Sequence, residues 1–128
     1  MAVKEFPTVK DNGTVGTIES HLERAFPRGS FYLKNPEGTD AKSNQLTETF
    51  RKDWAKYQGT TPEEYKRRAS GNNTVQVRGD YQLNTIRRNV AESLGIPPAS
   101  VVLIKPNGET QNDLNIQLST FKGYWRKG

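Results

Sequence analysis

Cysteine is absent from this 128-residue chain. That excludes a disulfide framework, a thiol nucleophile and any cysteine-ligated metal. Histidine occurs once, at His21, which excludes a multi-histidine metal centre; it is expected on the polar side of a short helix. Hydrophobic residues make up only 32% of the chain, so the core is small and much of the chain is solvated. No stretch approaches the roughly 18 apolar residues of a membrane span, and Met1 to Glu5 leads into no apolar run of a signal peptide. These absences predict no membrane partner and an intracellular or virion-associated protein. There is no Walker loop, GxGxxG or GxSxG, and no His and Cys for a nucleophilic relay. The chain therefore reads as a non-enzyme with no cofactor, and Glu63-Glu64 as helix-start acids rather than a catalytic pair.

What is present is a repeat. Val9, Thr17 and Ile18 recur 68 positions later as Val77, Thr85 and Ile86. Ser30, Leu33, Pro36 and Gly38 recur 70 positions later as Ser100, Leu103, Pro106 and Gly108. Thr39, Asn44, Thr49, Phe50 and Trp54 recur 71 positions later as Thr110, Asn115, Thr120, Phe121 and Trp125. Arg51 falls on Lys122 in the same frame. The expectation is an α+β chain of two tandem related small αβ units, packed as a pseudo-symmetric pair. The first unit, with its following helices, occupies 1–70 and the second 71–128, with the boundary in the linker-like Ser70-Gly71-Asn72-Asn73. Sharing apolar faces would stabilise two units each too small to bury enough alone.

Local patterns supply the elements. Thr17 to Phe26 has apolar residues at helical spacing, with Thr17 as a cap. Asn44 to Tyr57 puts Leu46, Phe50, Trp54 and Tyr57 on one face, with Arg51, Lys52 and Lys56 opposite, and stops at Gly59. Thr61-Pro62-Glu63-Glu64 starts a further helix. Ser30 to Lys34, Thr74 to Arg78 and Ser100 to Ile104 read as strands. Thr85 to Leu94 repeats the first helix. Leu118 to Trp125 matches the second helix of the first unit, although Gly123 weakens it as a helix and leaves a strand open.

Gly95-Ile96-Pro97-Pro98, then Leu103-Ile104, then Asp113-Leu114-Asn115-Ile116-Gln117 resembles the second half of ubiquitin. There a Thr-Ile-led helix, here Thr85-Ile86, precedes the same sequence of turns and strand. The resemblance covers Thr85 to Gly128 and implies a β-grasp unit, with Ile104 on the family's partner-binding isoleucine. Glu109 and Leu118 stand where the family's main chain-linking lysines would be, and the tail ends in one Gly rather than two. The resemblance thus fits an interaction domain better than a conjugated modifier. A competing pattern, the helix-turn-helix spacing of Val90, Ala91, Leu94, Gly95, Ile96 and Val101, would make Ser100 to Ile104 a groove helix without base-reading side chains.

Net charge is +5, unevenly placed. Residues 1–64 hold 9 Lys and Arg against 10 Asp and Glu; residues 65–128 hold 10 against 4. Lys66, Arg67, Arg68, Arg78, Arg87, Arg88, Arg126 and Lys127 are the candidate anion or nucleic-acid contacts. Tyr81, Ile104 and Tyr124 are the candidate protein contacts. The leading expectation is a non-catalytic binding or structural subunit docking into a larger protein assembly, such as a virion or phage component. A basic nucleic-acid binder acting through residues 65–128 and a ubiquitin-like modifier or interaction domain are the alternatives.

Overall fold

The computed structural model describes residues 3–69 and 74–127. Its order is β1 (Val3–Glu5), α1 (Val15–Leu22), β2 (Phe31–Leu33), α2 (Thr47–Gln58), α3 (Pro62–Ala69), β3 (Thr74–Gln76), α4 (Leu83–Leu94), β4 (Val101–Leu103) and α5 (Leu118–Lys127). The fold is α+β, with two separate two-stranded antiparallel sheets among the described residues. Each sheet joins a strand before residue 70 to one after residue 73: β1 with β3, and β2 with β4. The predicted linker at Ser70 to Asn73 lies outside the described residues.

The β2–β4 pairing carries the centre of the molecule. Phe31 opposes Leu103, Tyr32 opposes Val102 and Leu33 opposes Val101. Alternation turns Phe31, Leu33, Val101 and Leu103 into the core and leaves Tyr32 and Val102 half-exposed. The pair is closed at both ends by reciprocal bonds, Lys34 N to Ser100 O at 2.9 Å and Ile104 N to Ser30 O at 2.8 Å. One buried cluster then runs through both sides, from Phe6, Ile18 and Phe50 to Ile86, Val101 and Phe121.

Many bonds come in pairs at the spacings of the sequence repeat. Thr14 bridges Leu46 and Gln82 bridges Gln117. Ser30 Oγ donates to Pro27 O at 2.5 Å and Ser100 Oγ to Pro97 O at 2.6 Å. Trp54 Nε1 donates to Lys34 O at 2.9 Å, and Trp125 Nε1 to Ile104 O at 3.0 Å. Both tryptophans therefore anchor a helix to the turn after a strand rather than standing free for base stacking.

Several expectations are corrected. α1 starts at Val15, not Thr17, and its N-cap Thr14 makes no side-chain capping bond. It ends at Leu22, where Arg24 and Ala25 close the last turn with short bonds to His21 O and Leu22 O. Residues 44–46 stay outside α2 because Leu46 is held extended in its bridge to Thr14. Leu46 and Tyr57, expected on the buried face, are 47% and 70% exposed. Leu118 to Trp125 is helix, not the final strand that a β-grasp would place there. Ser100 to Ile104 carries β4, which removes the groove helix of the helix-turn-helix reading.

The largest correction is Arg51, expected on the solvent face of α2 and found with 0% exposure. Its Nε donates to Gly95 O at 2.8 Å and its Nη2 to Leu94 O at 3.1 Å. Those are carbonyls at the C-terminal end of α4, where a cation also meets the negative end of the helix dipole. Its Nη1 meets Asp11 Oδ1 at 2.9 Å, and Lys66 Nζ meets Asp11 Oδ2 at 2.9 Å. Burial pulls the Arg51 guanidinium below its ordinary value and the Asp11 carboxylate opposes it. The bond from Lys66, helped by that from Arg51, holds Asp11 below the usual carboxylate value despite desolvation.

Asp11→Asn leaves Arg51 buried without its counter-charge. Denaturant unfolding at neutral pH is expected to show a loss of about 2 kcal/mol, less than the roughly 3–5 kcal/mol of a fully buried pair because solvent reaches Asp11. Because the folded pKa is depressed, this stabilisation is fully present above about pH 4 and is lost as pH falls through the lower folded value. The variant should therefore show a flatter acid limb than the native chain; parallel limbs would contradict the assignment.

Candidate functional site

The cations expected to form one anion-facing surface are largely engaged elsewhere. Lys66 is held by Asp11. Arg67 and Arg68 both lie on Glu64, at 2.6 and 3.6 Å. Arg78 pairs with Asp80 at 3.1 Å and covers the Tyr81 ring at 5.4 Å. Arg87 is half-buried and donates to Pro98 O at 2.6 Å, Val101 O at 3.2 Å and Asn84 Oδ1 at 3.1 Å. With α4 starting at Leu83, Arg87 and Arg88 stand in its second turn rather than at its N-terminus. Arg88 is exposed on that helix. The side chain of Lys127 lies outside the described residues. Only Arg126 falls in a concave basic site.

That site is a pocket of about 370 Å³ between β1, the chain following α1, and α5. Lys4, Arg24, Lys122 and Arg126 supply four cations, Glu23 one carboxylate, and Trp125 an aromatic wall. Residues 122, 125 and 126 share one face of α5 because they lie three and four apart. Lys4 Nζ donates to Arg24 O at 2.8 Å and Arg24 Nη1 to Glu5 O at 3.0 Å, which ties β1 to the end of α1. Glu23 also lies 3.9 Å from Arg28. Lys122 is half-buried; burial, then Lys4 and Arg126, draw its amine below the ordinary lysine value. Sequence reasoning missed Lys4, Arg24 and Lys122 because they come from three distant segments.

A second concavity, of about 490 Å³, is lined by Lys105, Pro106, Gln111, Asp113, Ile116 and Tyr124 among others. Gln111 is only 5% exposed. Its Nε2 donates to Asp113 O at 2.8 Å, while its buried Oε1 has no donor among the described residues. Tyr124 is 43% exposed. Of the three predicted protein contacts, Tyr124 lies in this groove. Ile104 stands next to it in sequence, half-buried, with its carbonyl taken by Trp125. Tyr81 is elsewhere, its hydroxyl bonded to Gln76 Oε1 at 2.7 Å. Nothing in the sequence marked Gln111, whose burial follows from the bond of its backbone N to Leu103 O.

Among the described residues no group of three or more His, Asp or Glu is placed to hold a metal ion, and no helix is long and apolar enough to cross a membrane. The crowding of cations makes a measurable prediction. In an NMR pH titration, Lys122 should lose its proton below the ordinary lysine value, and Lys4→Gln should move its midpoint upward. An unshifted midpoint in both proteins would show that the amine is freely solvated. Comparison with protein-family models, curated protein sequences and solved structures gave no match to the chain, so its sites are read from its own geometry.

Proposed function

We propose that the chain is a non-catalytic binding or structural subunit that docks into a larger protein assembly, and that it is built from two tandem related units. The paired bonds support the second part: the Thr14–Leu46 and Gln82–Gln117 bridges and the two tryptophan anchors occupy matching places. A virion or phage particle is the kind of assembly that the cysteine-free, polar, turn-rich composition suits.

The observation that carries the docking reading is the groove beside Tyr124. Exposed Tyr124 and half-buried Ile116 line it together with Gln111, whose Oε1 is buried and has no donor among the described residues. An amphipathic ring at the mouth of a mixed polar and apolar concavity is a common anchor in binding sites. The nucleic-acid reading has less support, because five of its eight cations are engaged in pairs or carbonyl bonds. The ubiquitin-like reading keeps the order of α4, turn and β4, but the two separate sheets and the terminal helix count against it.

The test is retention of the purified chain on the assembly recovered from its native source. Binding should persist when salt shortens the Debye length to about 3 Å. Tyr124→Ala should weaken it by about tenfold or more, as for an aromatic anchor near the centre of an interface. Retention abolished by salt and untouched by Tyr124→Ala, together with low-salt binding of a generic oligonucleotide, would replace this reading with the nucleic-acid one.

A further inference from the structure

The surroundings of Asp11 define what the basic pocket lacks. Asp11 O accepts from Glu48 N at 3.2 Å, and three residues beyond Glu48 stands Arg51, whose charge the Asp11 carboxylate meets. Gly79 O accepts from Ser119 N at 3.0 Å, and three residues beyond Ser119 stands Lys122. The backbone arrangement and the cation are repeated, but glycine stands where the carboxylate would be. A Cβ on Gly79 would meet Ser119 Cβ at 3.3 Å, so α5 passes close to the backbone there. The neighbourhoods also match: Arg51 reaches the end of α4, and the Lys122 pocket lies against the chain leaving α1. Around Arg51 a carboxylate within the fold, Asp11, meets both Arg51 and Lys66. Around Lys122, Lys4, Arg24 and Arg126 crowd one another, with Glu23 as the single carboxylate in the wall.

We infer that this pocket binds an oxyanion, a phosphate or carboxylate group entering from outside, with Lys122 at its base and Trp125 beside the framework that carries the group. Four cations in the wall of one pocket attract an anion over several ångströms even though Lys4 and Arg24 each keep a carbonyl bond, and the repulsion of Lys122 by Lys4 and Arg126 is relieved when an anion enters. Arg126 offers a planar fork suited to two oxygens of one group, Arg24 the donors left beside its Nη1 bond to Glu5 O, and Lys4 and Lys122 add point charges. The volume of about 370 Å³ holds a small organic anion. A doubly charged phosphate suits four cations better than a single carboxylate does. The inference does not depend on the docking groove, which lies elsewhere and shares none of these residues.

The probe is inorganic phosphate, titrated into the intact chain at constant ionic strength made up with chloride, with the unfolding temperature as readout. A ligand that binds only the folded state raises that temperature in a saturable way. The native chain is expected to show such a rise. Lys122→Gln/Arg126→Gln should shift the midpoint to about tenfold or more higher phosphate, since two charge-assisted contacts are removed. Without phosphate that variant should unfold at or above the native temperature, because repulsion is relieved. Arg126→Gln alone, at an exposed position, gives a smaller shift of the same sign and serves if the double variant folds poorly. Lys42→Gln, an exposed charge outside the pocket, should leave the midpoint unchanged. A parallel acetate titration separates the sources: a much weaker response assigns the site to phosphate, and an equal one to carboxylate. No saturable response to either anion, or the same response in the double variant, overturns the inference.

Discussion

A guanidinium with no access to water sets the conditions for the rest of this fold. Arg51 is carried by α2, yet its acceptors are the last carbonyl of α4, that of the glycine after it, and a carboxylate in the loop before α1. A buried charge is tolerated only where every donor finds an acceptor and a counter-charge stands close. The three segments must therefore be in place together. Gly95 belongs to the same constraint. It ends α4 with φ 81°, and a Cβ there would lie 2.6 Å from Arg51 Nη2. A side chain at position 95 would thus clash with the guanidinium as well as strain the backbone. With a hydrophobic content of only 32%, specificity of packing rests to an unusual degree on such polar locks and on the cross-pairing of strands from opposite sides of residues 70–73.

The corresponding place on the other side of the molecule is built differently. Lys122 has a shorter, more strongly hydrated head than Arg51 and is only half-buried. Without a carboxylate at position 79, an interior lock becomes an open, positively charged pocket. Elsewhere the charge excess of residues 65–128 is muted by local pairs: Glu64 meets Arg67 and Arg68, and Asp80 meets Arg78. What matters is which cations lack a carboxylate partner within the fold, and two of those around Lys122, Lys4 and Arg24, come from outside the segments where lysine and arginine cluster in sequence.

Legibility in the sequence followed the range of the interactions. Gly59 and Gly95 end helices as expected, because a left-handed C-terminal residue is a local requirement. The strands at 31–33 and 101–103 were legible from their bulky residues and flanking turns. The starts of α1 and α2 were placed two and three residues off, because Thr14 and Leu46 are fixed by their bridge to each other rather than by side-chain caps. Periodicity put Leu46 and Tyr57 inside and Arg51 outside. α2 turns Phe50, Trp54 and Arg51 to the core and the end of α4, which leaves Tyr57 at its margin, while Leu46 lies before the helix in its bridge to Thr14. No hydrophobicity pattern encodes a preference for burying an arginine, because the gain comes from acceptors about forty residues away in the chain.

The range of the interactions also separates the two concave sites. Tyr124 was picked out from the sequence as a candidate contact and is exposed in this groove. Gln111 was not, since its exposure is set by the strand-edge bond between its own backbone N and Leu103 O, which draws the side chain inward behind the Pro106–Gly108 turn. Once inward, its amide nitrogen is satisfied by Asp113 O and its oxygen is left over. That leftover acceptor and the uncompensated Lys122 are the same kind of feature. Each is a polar group placed by backbone bonds that serve the fold, with its complement missing from the described chain. One lacks a hydrogen-bond donor and the other a negative charge. The two concavities therefore differ in the chemistry that would complement them, a donor in one and an anion in the other.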